Sequence, residues 1–582
     1  GQVQSRRECS KAGIDEQCLL LSRTTNEFGE VESETSSDEN IPDTKLTVKY
    51  DKRDKYGNVE HATAKDEFGH VRESTTVYDD EGVFAIKEIN ALGHETTLEH
   101  DPAFGVLKKV IDPNGLPTEW QYDSLGRETR EKRPDGSQTT TNMTRAKMAG
   151  VWRLFERTTT SGGADDETIF DSLGRPVRTF SHGPTPAGLQ GKTPRRIQVF
   201  GYDRLSGKTA KSSVLTAEGT PDEQLLFDVF EFDAMGREIR HTTPWNATTT
   251  TSYDGFSIDS VDLAHAPPLH TSTELDALGR PKTITDAKGG TTRYAYGPFG
   301  ALQSVTDPGN DVTTWTWDAF GRVRQLEEPD RGTTTFVHDG FGDLLQSTDA
   351  LGRIATYGVD NLGRVRTRTD KLGAQTLTTT WTWDTAPNGI GRLHMVTSPD
   401  GVKTYAYNKR GQTESLALGV NGDVFAAHFA YDALGRLEGI DYPQPLGVEP
   451  FGVTYEYDEH GFRVAVRDAA TKDAYWQLTD VDQSGRYKEE SFGNEAKTVR
   501  DYDDRKPVLK SMTTTHQGTT IQELSYGWDE RLNLKSRADA LQAQNTTERF
   551  RYDALNRLTC AYFGLVESAN AACDSSYGYA PN

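Results

Sequence analysis

Two kinds of short segment in this chain bring together residue types that bind zinc or phosphate in many enzymes. His94-Glu95 is followed by His100, but a helical zinc-protease motif needs its second histidine four residues after the first, so this spacing excludes it. The segments Gly191–Thr193 and Gly207–Thr209 read Gly-Lys-Thr, like the end of a phosphate-binding loop. The glycine that must open such a loop is absent from both. Neither chemistry is therefore predicted.

A calcium loop is suggested by the spacing of Asp480, Asp482 and Gly485. Its twelfth position is Ser491, where a calcium loop needs a glutamate, and Asp482 also belongs to a repeated motif. A Gly-x-Ser-x-Gly nucleophile motif is missing as well. Carboxylates are spread along the whole chain and no pair is singled out. We therefore predict no catalytic, cofactor-binding or metal-binding residues and no cofactor.

The motif Asp-x-x-Gly-Arg recurs nine times, and a tenth copy carries Asn556 in the glycine position. An aspartate that opens a type I turn accepts backbone N–H groups, and a glycine three residues later adopts a positive φ at little cost. The arginine that follows can reach back to the aspartate. Two of the copies begin at Asp349 and Asp482. In the other copies the aspartate, glycine and arginine are Asp123, Gly126, Arg127; Asp171, Gly174, Arg175; Asp233, Gly236, Arg237; Asp276, Gly279, Arg280; Asp318, Gly321, Arg322; Asp360, Gly363, Arg364; and Asp432, Gly435, Arg436. The copy with Asn556 has Asp553 and Arg557.

The elements that position these turns are strands. Aromatic residues stand one and three positions before many of the aspartates, and a strand places such residues on one face because its side chains alternate. We expect an aromatic ladder on that face, with cross-strand aromatic pairs that hold the sheet together. Its clearest members are Trp315, Trp317, Trp381, Trp383, Tyr405, Tyr407, Tyr455 and Tyr457.

The turns follow one another at intervals that define the organisation of the chain. A turn every 10 or 11 residues, widening after residue 360, predicts about 50 strands from residue 46 to the end. We divide the chain into a non-repeat segment 1–45, repeats over 46–139, repeats with insertions over 140–270 and regular repeats over 271–582. Within the first segment Ser33–Asn40 is expected to be flexible. Loops are expected at 164–167, 183–194 and 258–270.

Composition supports a thin sheet and excludes several partners. Only 34% of the residues are hydrophobic, and the formal net charge is −23, so we expect no attraction to nucleic acid. No run of residues has the length and apolarity of a membrane span. The four cysteines form two close pairs, Cys9 with Cys18 and Cys560 with Cys573, which would suit local disulfides in an oxidising compartment. The opening residues are polar, so we expect any secretion signal to lie upstream.

With these features in hand, Tyr431–Leu437, which reads Tyr-Asp-Ala-Leu-Gly-Arg-Leu, resembles the consensus YD repeat of the Rhs family. That family includes bacterial Rhs toxins, the B and C components of Tc toxins, and teneurins. The resemblance implies an all-β fold, a long spiralling antiparallel β-hairpin strip that forms a partial cage around a polypeptide cargo such as a C-terminal toxin. Asp112–Leu116 carries the letters of the family's self-cleavage segment, but it lies on the regular turn spacing and is interpreted as a repeat turn. Tyr577–Asn582 is interpreted as the start of a further repeat.

Three functions are carried forward. The leading one is a structural shell segment of a secreted, cell-surface or delivered toxin-like protein, whose partners are an enclosed polypeptide or the remaining shell segments. The second is a carbohydrate- or surface-binding adhesion module that uses exposed aromatic rings to bind glycans. The third, an enzyme within an insertion, is the least favoured because no convergent cluster of histidine, cysteine or aspartate is visible in the sequence.

Overall fold

A computed structural model describes residues 3–12, 15–163, 165–186, 195–444, 448–482, 484–541, 547–564 and 572–579. In this part of the chain the fold is one antiparallel sheet of 49 strands with three single-turn 3₁₀ helices. The number of strands agrees with the expected count of about 50. None of the described helices has the length and apolarity that a membrane span requires.

The strands before residue 137 are β1 Val3–Ala12, β2 Asp15–Thr25, β3 Val31–Asp38, β4 Leu46–Arg53, β5 Val59–Asp66, β6 Val71–Tyr78, β7 Ala85–Ile89, β8 Glu95–Asp101, β9 Val106–Ile111, β10 Pro117–Tyr122 and β11 Glu128–Lys132. Those of residues 137–293 are β12 Gln138–Met148, β13 Val151–Thr160, β14 Asp165–Phe170, β15 Pro176–Ser181, β16 Arg196–Tyr202, β17 Thr209–Ser213, β18 Thr216–Ala217, β19 Phe227–Phe232, β20 Glu238–Thr242, β21 Thr248–Asp254, β22 Ser257–Asp262, β23 Leu269–Leu275 and β24 Pro281–Thr285.

The strands of residues 294–435 are β25 Thr291–Tyr296, β26 Leu302–Thr306, β27 Val312–Trp317, β28 Val323–Glu328, β29 Gly332–His338, β30 Leu344–Thr348, β31 Ile354–Val359, β32 Val365–Leu372, β33 Gln375–Trp383, β34 Leu393–Ser398, β35 Gly401–Tyr407, β36 Thr413–Val420 and β37 Asp423–Tyr431. The last are β38 Leu437–Asp441, β39 Gly452–Tyr457, β40 Arg463–Asp468, β41 Ala474–Val481, β42 Tyr487–Phe492, β43 Ala496–Tyr502, β44 Leu509–His516, β45 Thr519–Trp528, β46 Leu534–Asp539, β47 Thr547–Tyr552, β48 Leu558–Phe563 and β49 Ser575–Ser576. The 3₁₀ helices are Pro42–Thr44, Asp222–Gln224 and Pro298–Gly300.

The strands belong to two compact units. Unit 1 comprises residues 1–136, 294–435 and 441–450, and unit 2 comprises residues 137–293, 436–440 and 451–582. Each unit thus contains two long runs of the chain. Within each run consecutive strands pair as antiparallel hairpins; in unit 2, β17 pairs with β19 while the short β18 pairs with β16. The four expected segments of the sequence do not coincide with these units.

Two expectations about irregular segments are wrong, and a third is wrong at its ends. Ser33–Asp38 lies in strand β3 and pairs with β2 and β4, because its serine and threonine side chains suit a half-exposed sheet. Asp165–Glu167 lies in β14. The expected loop 258–270 is shorter than predicted: residues 258–262 and 269–270 lie in β22 and β23, and residues 263–268 connect these two strands. Strands β12 and β13, at the start of the expected segment with insertions, form a long hairpin like that of β1 and β2. Residues 187–194, which include one Gly-Lys-Thr segment and most of an expected loop, lie outside the described residues.

Burial is shallow, as the composition predicts. In unit 1 several of the most deeply buried side chains are carboxylates rather than hydrocarbons, and these are Asp38, Asp66, Asp318 and Asp339. Unit 2 contains small apolar clusters around Ile169, Ile197 and Leu478. A disulfide joins Cys9 to Cys18 across β1 and β2 in unit 1, and another joins Cys560 to Cys573 in unit 2.

Candidate functional site: the repeat turn and the seam

The repeated turn has one geometry, shown here for Asp276–Arg280. The amide of Gly279 donates to the carbonyl of Asp276 at 2.9 Å, and the amide of Asp276 donates to the carbonyl of Arg280 at 2.8 Å. The strand register shifts by one residue just before Asp276. This is the hydrogen-bond pattern of a type I turn closed by a bulge, in which the glycine needs a positive φ. The φ angles lie between +73° and +80° at Gly126, Gly174, Gly236, Gly279, Gly321, Gly352, Gly363, Gly435 and Gly485.

The aspartate binds both backbone and arginine. Asp276 Oδ1 accepts the amides of Leu278 and Arg280 at 2.9 and 3.0 Å, and Oδ2 accepts Arg280 Nε at 2.7 Å. The Arg280 side chain, followed by the two amides, lowers the pKa of Asp276. The same bond from arginine Nε, 2.5 to 2.9 Å long, is made to Asp123, Asp171, Asp233, Asp318, Asp349, Asp360, Asp482 and Asp553.

The arginine also contacts the next repeat. The guanidinium of Arg436 lies 4.7 Å from the ring centre of Tyr457, the aromatic residue that precedes the next aspartate. Such cation–π contacts contribute about 0.5–1 kcal/mol at exposed sites. One arginine therefore ties its own turn to the following hairpin. The other pairs of this kind, with distances of 4.2 to 5.4 Å, are Arg175–Tyr202, Arg237–Tyr253, Arg364–Trp383, Arg392–Tyr407, Arg486–Tyr502 and Arg557–Tyr579.

The aromatic residue next to the aspartate has a second role. Tyr457 donates its hydroxyl to the carbonyl of Leu437, the residue that directly follows Arg436. This carbonyl belongs to the first strand residue after a turn. The tyrosine therefore bonds the end of its own strand to the start of the previous hairpin. Equivalent bonds of 2.6 to 2.9 Å run from Trp317 to Leu302, Trp383 to Val365, Tyr407 to Leu393, Tyr431 to Thr413, Trp528 to Leu509 and Tyr552 to Leu534.

The first aromatic residue of each pair does not form the expected cross-strand aromatic ladder. Trp315, Trp381, Tyr405 and Tyr455 are half-buried, as are their pair partners Trp317, Trp383, Tyr407 and Tyr457. In the following strand each faces an aliphatic residue instead, and these are Leu326, Val396, Leu416 and Val466. The prediction of aromatic cross-strand pairs is wrong at these positions, because ring-to-arginine and ring-to-carbonyl contacts bind the second member of each pair.

In unit 1 the two runs of the strip lie against each other through their turns. The amide of Ala319 donates to Asp38 Oδ2 at 2.6 Å, and Asn114 exchanges two hydrogen bonds with the backbone of Ile390 at 2.8 and 2.9 Å. The partners are separated by 281 and 276 residues along the chain. We call this line of turn-to-turn contacts the seam of unit 1.

Unit 2 has a seam of the same kind. The amide of Thr185 donates to Asp458 Oδ2 at 2.6 Å, and Trp245 Nε1 donates to the carbonyl of Glu530 at 3.0 Å. These contacts span 273 and 285 residues, close to the separations in unit 1. Glycine permits the close approach: a Cβ on Gly461 would lie 2.3 Å from a backbone carbonyl oxygen of the facing turn.

The opposite edge of the first run in unit 2 is exposed. Its turns carry a large apolar side chain two residues after the aspartate, and four of these side chains are 73–88% exposed: Leu173, Leu205, Met235 and Leu278. Leu555 occupies the same turn position on the seam and is half-buried there. We call the exposed row the free edge of unit 2. Sequence reasoning missed both the seam and the free edge, since the turns on the two edges have similar sequences.

The RHS Repeat family model matches residues 103–138, 276–311 and 298–333. Among solved structures, the crystal structure of TcdB2-TccC3-Cdc42 is similar to 94% of this chain, with a TM-score of 0.72 and 13% identity. The structure of TcdB2-TccC3 without its hypervariable C-terminal region gives a TM-score of 0.73 at 13% identity, and the Tc holotoxin pore of Photorhabdus luminescens gives 0.72 at 14%; each is matched over 94% of this chain. The chain spans about 40% of the length of these structures. A search of curated proteins found no match.

These likenesses agree with the geometry of the turns. The matched residues include the repeat turns that begin at Asp123, Asp276 and Asp318. The likeness to the Tc structures extends the same fold over nearly the whole chain, although their sequences are distant from it. Three segments of this chain therefore match the RHS Repeat model, and its fold is like that of the TcdB2-TccC3 structures.

Proposed function

We propose that this protein is a structural shell segment of a toxin-like protein, which encloses a polypeptide cargo such as a C-terminal toxin. The seam is the observation that carries the proposal. In each unit a strip of hairpins meets a second run of the same strip, and hydrogen bonds close the gap between them. A thin sheet gains a continuous wall in this way, without a second layer behind it.

The free edge of unit 2 supports a further part of the proposal: the wall continues into other shell segments. Its turns expose large apolar side chains, and leucine at the same turn position is half-buried where two runs meet. A row of exposed hydrocarbon groups is costly in water and marks an interaction surface. We propose that its partner is the turn edge of another YD-type strip, which a second copy of this chain provides.

The aromatic rings favour a structural role over glycan binding. Rings such as Tyr457 are half-buried, contact an arginine and donate to a backbone carbonyl, so the groups that would bind a sugar already have partners. A glycan-binding surface would need rings with one free face. Adhesion through glycans therefore remains the alternative. Export or delivery by a secretion system, and the absence of catalysis, belong to the proposal because they follow from a toxin-shell role.

Cryo-electron microscopy and protease protection of the full-length gene product test the enclosure of cargo. We expect density bounded by the strip, and we expect the enclosed segment to resist a protease until the strip is unfolded with denaturant. A segment that is cleaved at the same rate before and after unfolding would contradict the proposal. Binding on a glycan array that is lost on substitution of Trp315 or Trp381 would favour the adhesion alternative.

Sedimentation velocity tests the free edge. We expect the chain to self-associate in a concentration-dependent manner, and we expect the triple variant Leu173→Ser, Met235→Ser, Leu278→Ser to suppress the association. Ile521→Ser is the matched control, because Ile521 is 56% exposed but lies within strand β45 rather than at a turn. A chain that stays monomeric at its highest soluble concentration, or an association that the triple variant leaves unchanged, would refute this part of the proposal.

A further inference from the structure

Two turns that face each other across the seam of unit 1 lack the arginine of the motif. The first reads Asp66-Glu-Phe-Gly-His70 and the second reads Asp339-Gly-Phe-Gly-Asp343. In the turns with the consensus sequence, arginine Nε binds the second carboxylate oxygen. Here a histidine and an aspartate stand in the arginine position. The two carboxylates are therefore left without their usual cation.

The carboxylates are held in place by their own backbones. Asp66 Oδ1 accepts the amide of His70 at 2.7 Å, and Asp339 Oδ1 accepts the amide of Asp343 at 2.9 Å. Both aspartates are buried, with side-chain exposures of 0%. Their remaining oxygens point toward His70, whose side chain is 44% exposed. The arrangement is thus fixed on the protein side and open to solvent through the imidazole.

In this cluster Asp339 Oδ2 is the carboxylate oxygen that lacks a hydrogen bond. It is buried and has no hydrogen-bond partner among the described residues. His70 Nδ1 lies 3.2 Å from it, outside hydrogen-bonding geometry, and is 2.8 Å from Asp66 Oδ2. A neutral imidazole has one N–H, so it satisfies one carboxylate at most. A buried, unpaired carboxylate is costly, and burial raises the pKa of Asp339.

Glycine allows the two turns to approach this closely. A Cβ on Gly340 would lie 2.4 Å from the carbonyl oxygen of Lys45 and 2.8 Å from Cβ of Asp66. Two arginines lie nearby. Arg72 forms an ion pair with Asp343 and stacks on Phe341, and Arg322 binds the carboxylate of Asp318 while donating to the backbone carbonyl of Asp339. Both arginines are therefore engaged with other carboxylates. The negative charge of Asp66 and Asp339 is left for some other cation to balance.

We propose that Asp66, His70 and Asp339 bind one Zn²⁺ ion that joins the two runs of the strip. The three donor atoms lie within 4.8 Å of one another. Around tetrahedral zinc, with bonds of about 2.0–2.2 Å, donor atoms stand about 3.3–3.6 Å apart. The oxygens of Asp66 and Asp339 lie 2.8 and 3.2 Å from His70 Nδ1, so the donors need to separate by only a few tenths of an ångström to admit the ion. One imidazole and two carboxylates suit this ion, and the exposed side of His70 admits water as a fourth ligand.

The site would stabilise unit 1 by joining its two runs. In Asp276–Arg280 the arginine pairs with the aspartate of its own turn, four residues away, whereas Arg436 also donates to the carbonyl of Gly162 in the facing run of unit 2. A metal held by both turns connects residues more than 270 positions apart in the chain. An ion that binds only the folded state raises the stability of that state by mass action.

Calorimetric titration of the full chain with ZnCl₂, after removal of metal with a chelator and without reductant, tests the proposal. We expect one Zn²⁺ per chain and a melting temperature that rises with Zn²⁺ concentration. His70→Gln and Asp339→Asn should each weaken binding at least about tenfold and abolish the rise in melting temperature. Because His70 is partly exposed, its variant is expected to fold, and its circular dichroism should match that of the parent.

His94→Gln is the matched control. His94 occupies the same position in the turn that begins at Asn90, and its Nε2 lies 3.6 Å from Asp384 across the seam, but Asp384 is bound by Arg364. This variant should bind Zn²⁺ like the parent. Failure of the parent chain to bind Zn²⁺, or binding that is unchanged in His70→Gln, would overturn the proposal. A parent chain that binds no Zn²⁺ while Asp339→Asn melts at a higher temperature would overturn it in favour of a proton shared by the two carboxylates.

Discussion

The contribution to stability of the hydrogen bond from a tyrosine hydroxyl to the previous strand can be measured by comparing two tyrosines of one strand. Tyr407 and Tyr405 lie on the same face of β35 and are both half-buried. Tyr407 donates its hydroxyl to the carbonyl of Leu393 at 2.6 Å, whereas the hydroxyl of Tyr405 makes no such bond in the described residues. Phenylalanine preserves the ring in both cases. The pair Tyr407→Phe and Tyr405→Phe therefore differs mainly in one hydrogen bond.

The expected loss of unfolding free energy depends on whether the carbonyl of Leu393 is left without a hydrogen-bond donor. A hydrogen bond contributes about 0.5–1.5 kcal/mol net, and a buried group left without a partner costs about 1–3 kcal/mol. The carbonyl of Leu393 is half-buried, so we expect Tyr407→Phe to lower the free energy of unfolding by about 1–2 kcal/mol. Tyr405→Phe should change it by less than about 0.5 kcal/mol. The contact between Arg392 and the ring at position 407 is retained by phenylalanine.

Hydrogen exchange measured by mass spectrometry is the appropriate assay, because a chain of two units need not unfold in one step. Exchange should accelerate by about five- to thirtyfold in peptides from β34 to β36 for Tyr407→Phe, the factor that corresponds to 1–2 kcal/mol. Burial raises the pKa of Tyr407, so its hydroxyl remains protonated and the effect should hold at neutral pH. Equal acceleration by the two variants, or none in Tyr407→Phe, would refute the assigned role of the tyrosine.

Three further perturbations test the turn, the disulfide and the ion pair. Gly461→Ala should lower the melting temperature more than Gly279→Ala, because both glycines have positive φ but only the first would push a Cβ into the facing turn. Reduction of the disulfide between Cys9 and Cys18 should remove about 3 kcal/mol from the β1–β2 hairpin, which should then be cleaved faster by a protease. Asp553→Asn should destabilise the chain by about 2 kcal/mol at pH 7 and by much less near pH 2, as urea titrations at each pH would show.

The sign of the last effect comes from the pKa. Burial raises the pKa of Asp553, but Arg557 and two backbone amides outweigh it and lower the pKa to about 2, against 3.8 ordinarily. The stabilisation is therefore complete above pH 4 and is lost as the pH falls through about 2. A difference in unfolding free energy between the parent and Asp553→Asn that stays constant from pH 7 to pH 2 would contradict this account.

Equal melting temperatures for Gly461→Ala and Gly279→Ala would contradict the close approach at the seam. A rate of protease cleavage in the β1–β2 hairpin that reduction leaves unchanged would contradict the role of the disulfide.

The hairpin can be derived from the amino-acid sequence alone, because everything that fixes it lies within a few residues. The aspartate, the glycine and the arginine of one turn bind each other at separations of three or four residues, so Asp276–Arg280 can be understood from its letters alone. The alternation of Tyr405, Ala406 and Tyr407 likewise fixes which side chains share a face. The strand number and the likeness to the Rhs family follow from repetition of these local rules.

Predictions made from a few neighbouring residues were wrong for some segments. The polar residues of Ser33–Asp38 indicated a flexible segment. The segment is a regular strand because it pairs with a strand on each side, and a half-exposed sheet tolerates serine and threonine. The pairing of aromatic residues across strands could not be derived either. It depends on which residue stands opposite in the neighbouring strand, and a one-residue bulge before each aspartate shifts that register.

Which turns meet depends on long-range packing and is visible only in the folded chain. The two edges of the strip carry turns of similar sequence, and the contacts of the seam join residues about 270 to 290 positions apart, so no local pattern marks them. The missing arginines of Asp66–His70 and Asp339–Asp343 are visible in the sequence as two unrelated exceptions. They become one cluster of buried carboxylates because the strip returns to its own edge, where long-range packing rather than turn chemistry sets the distances.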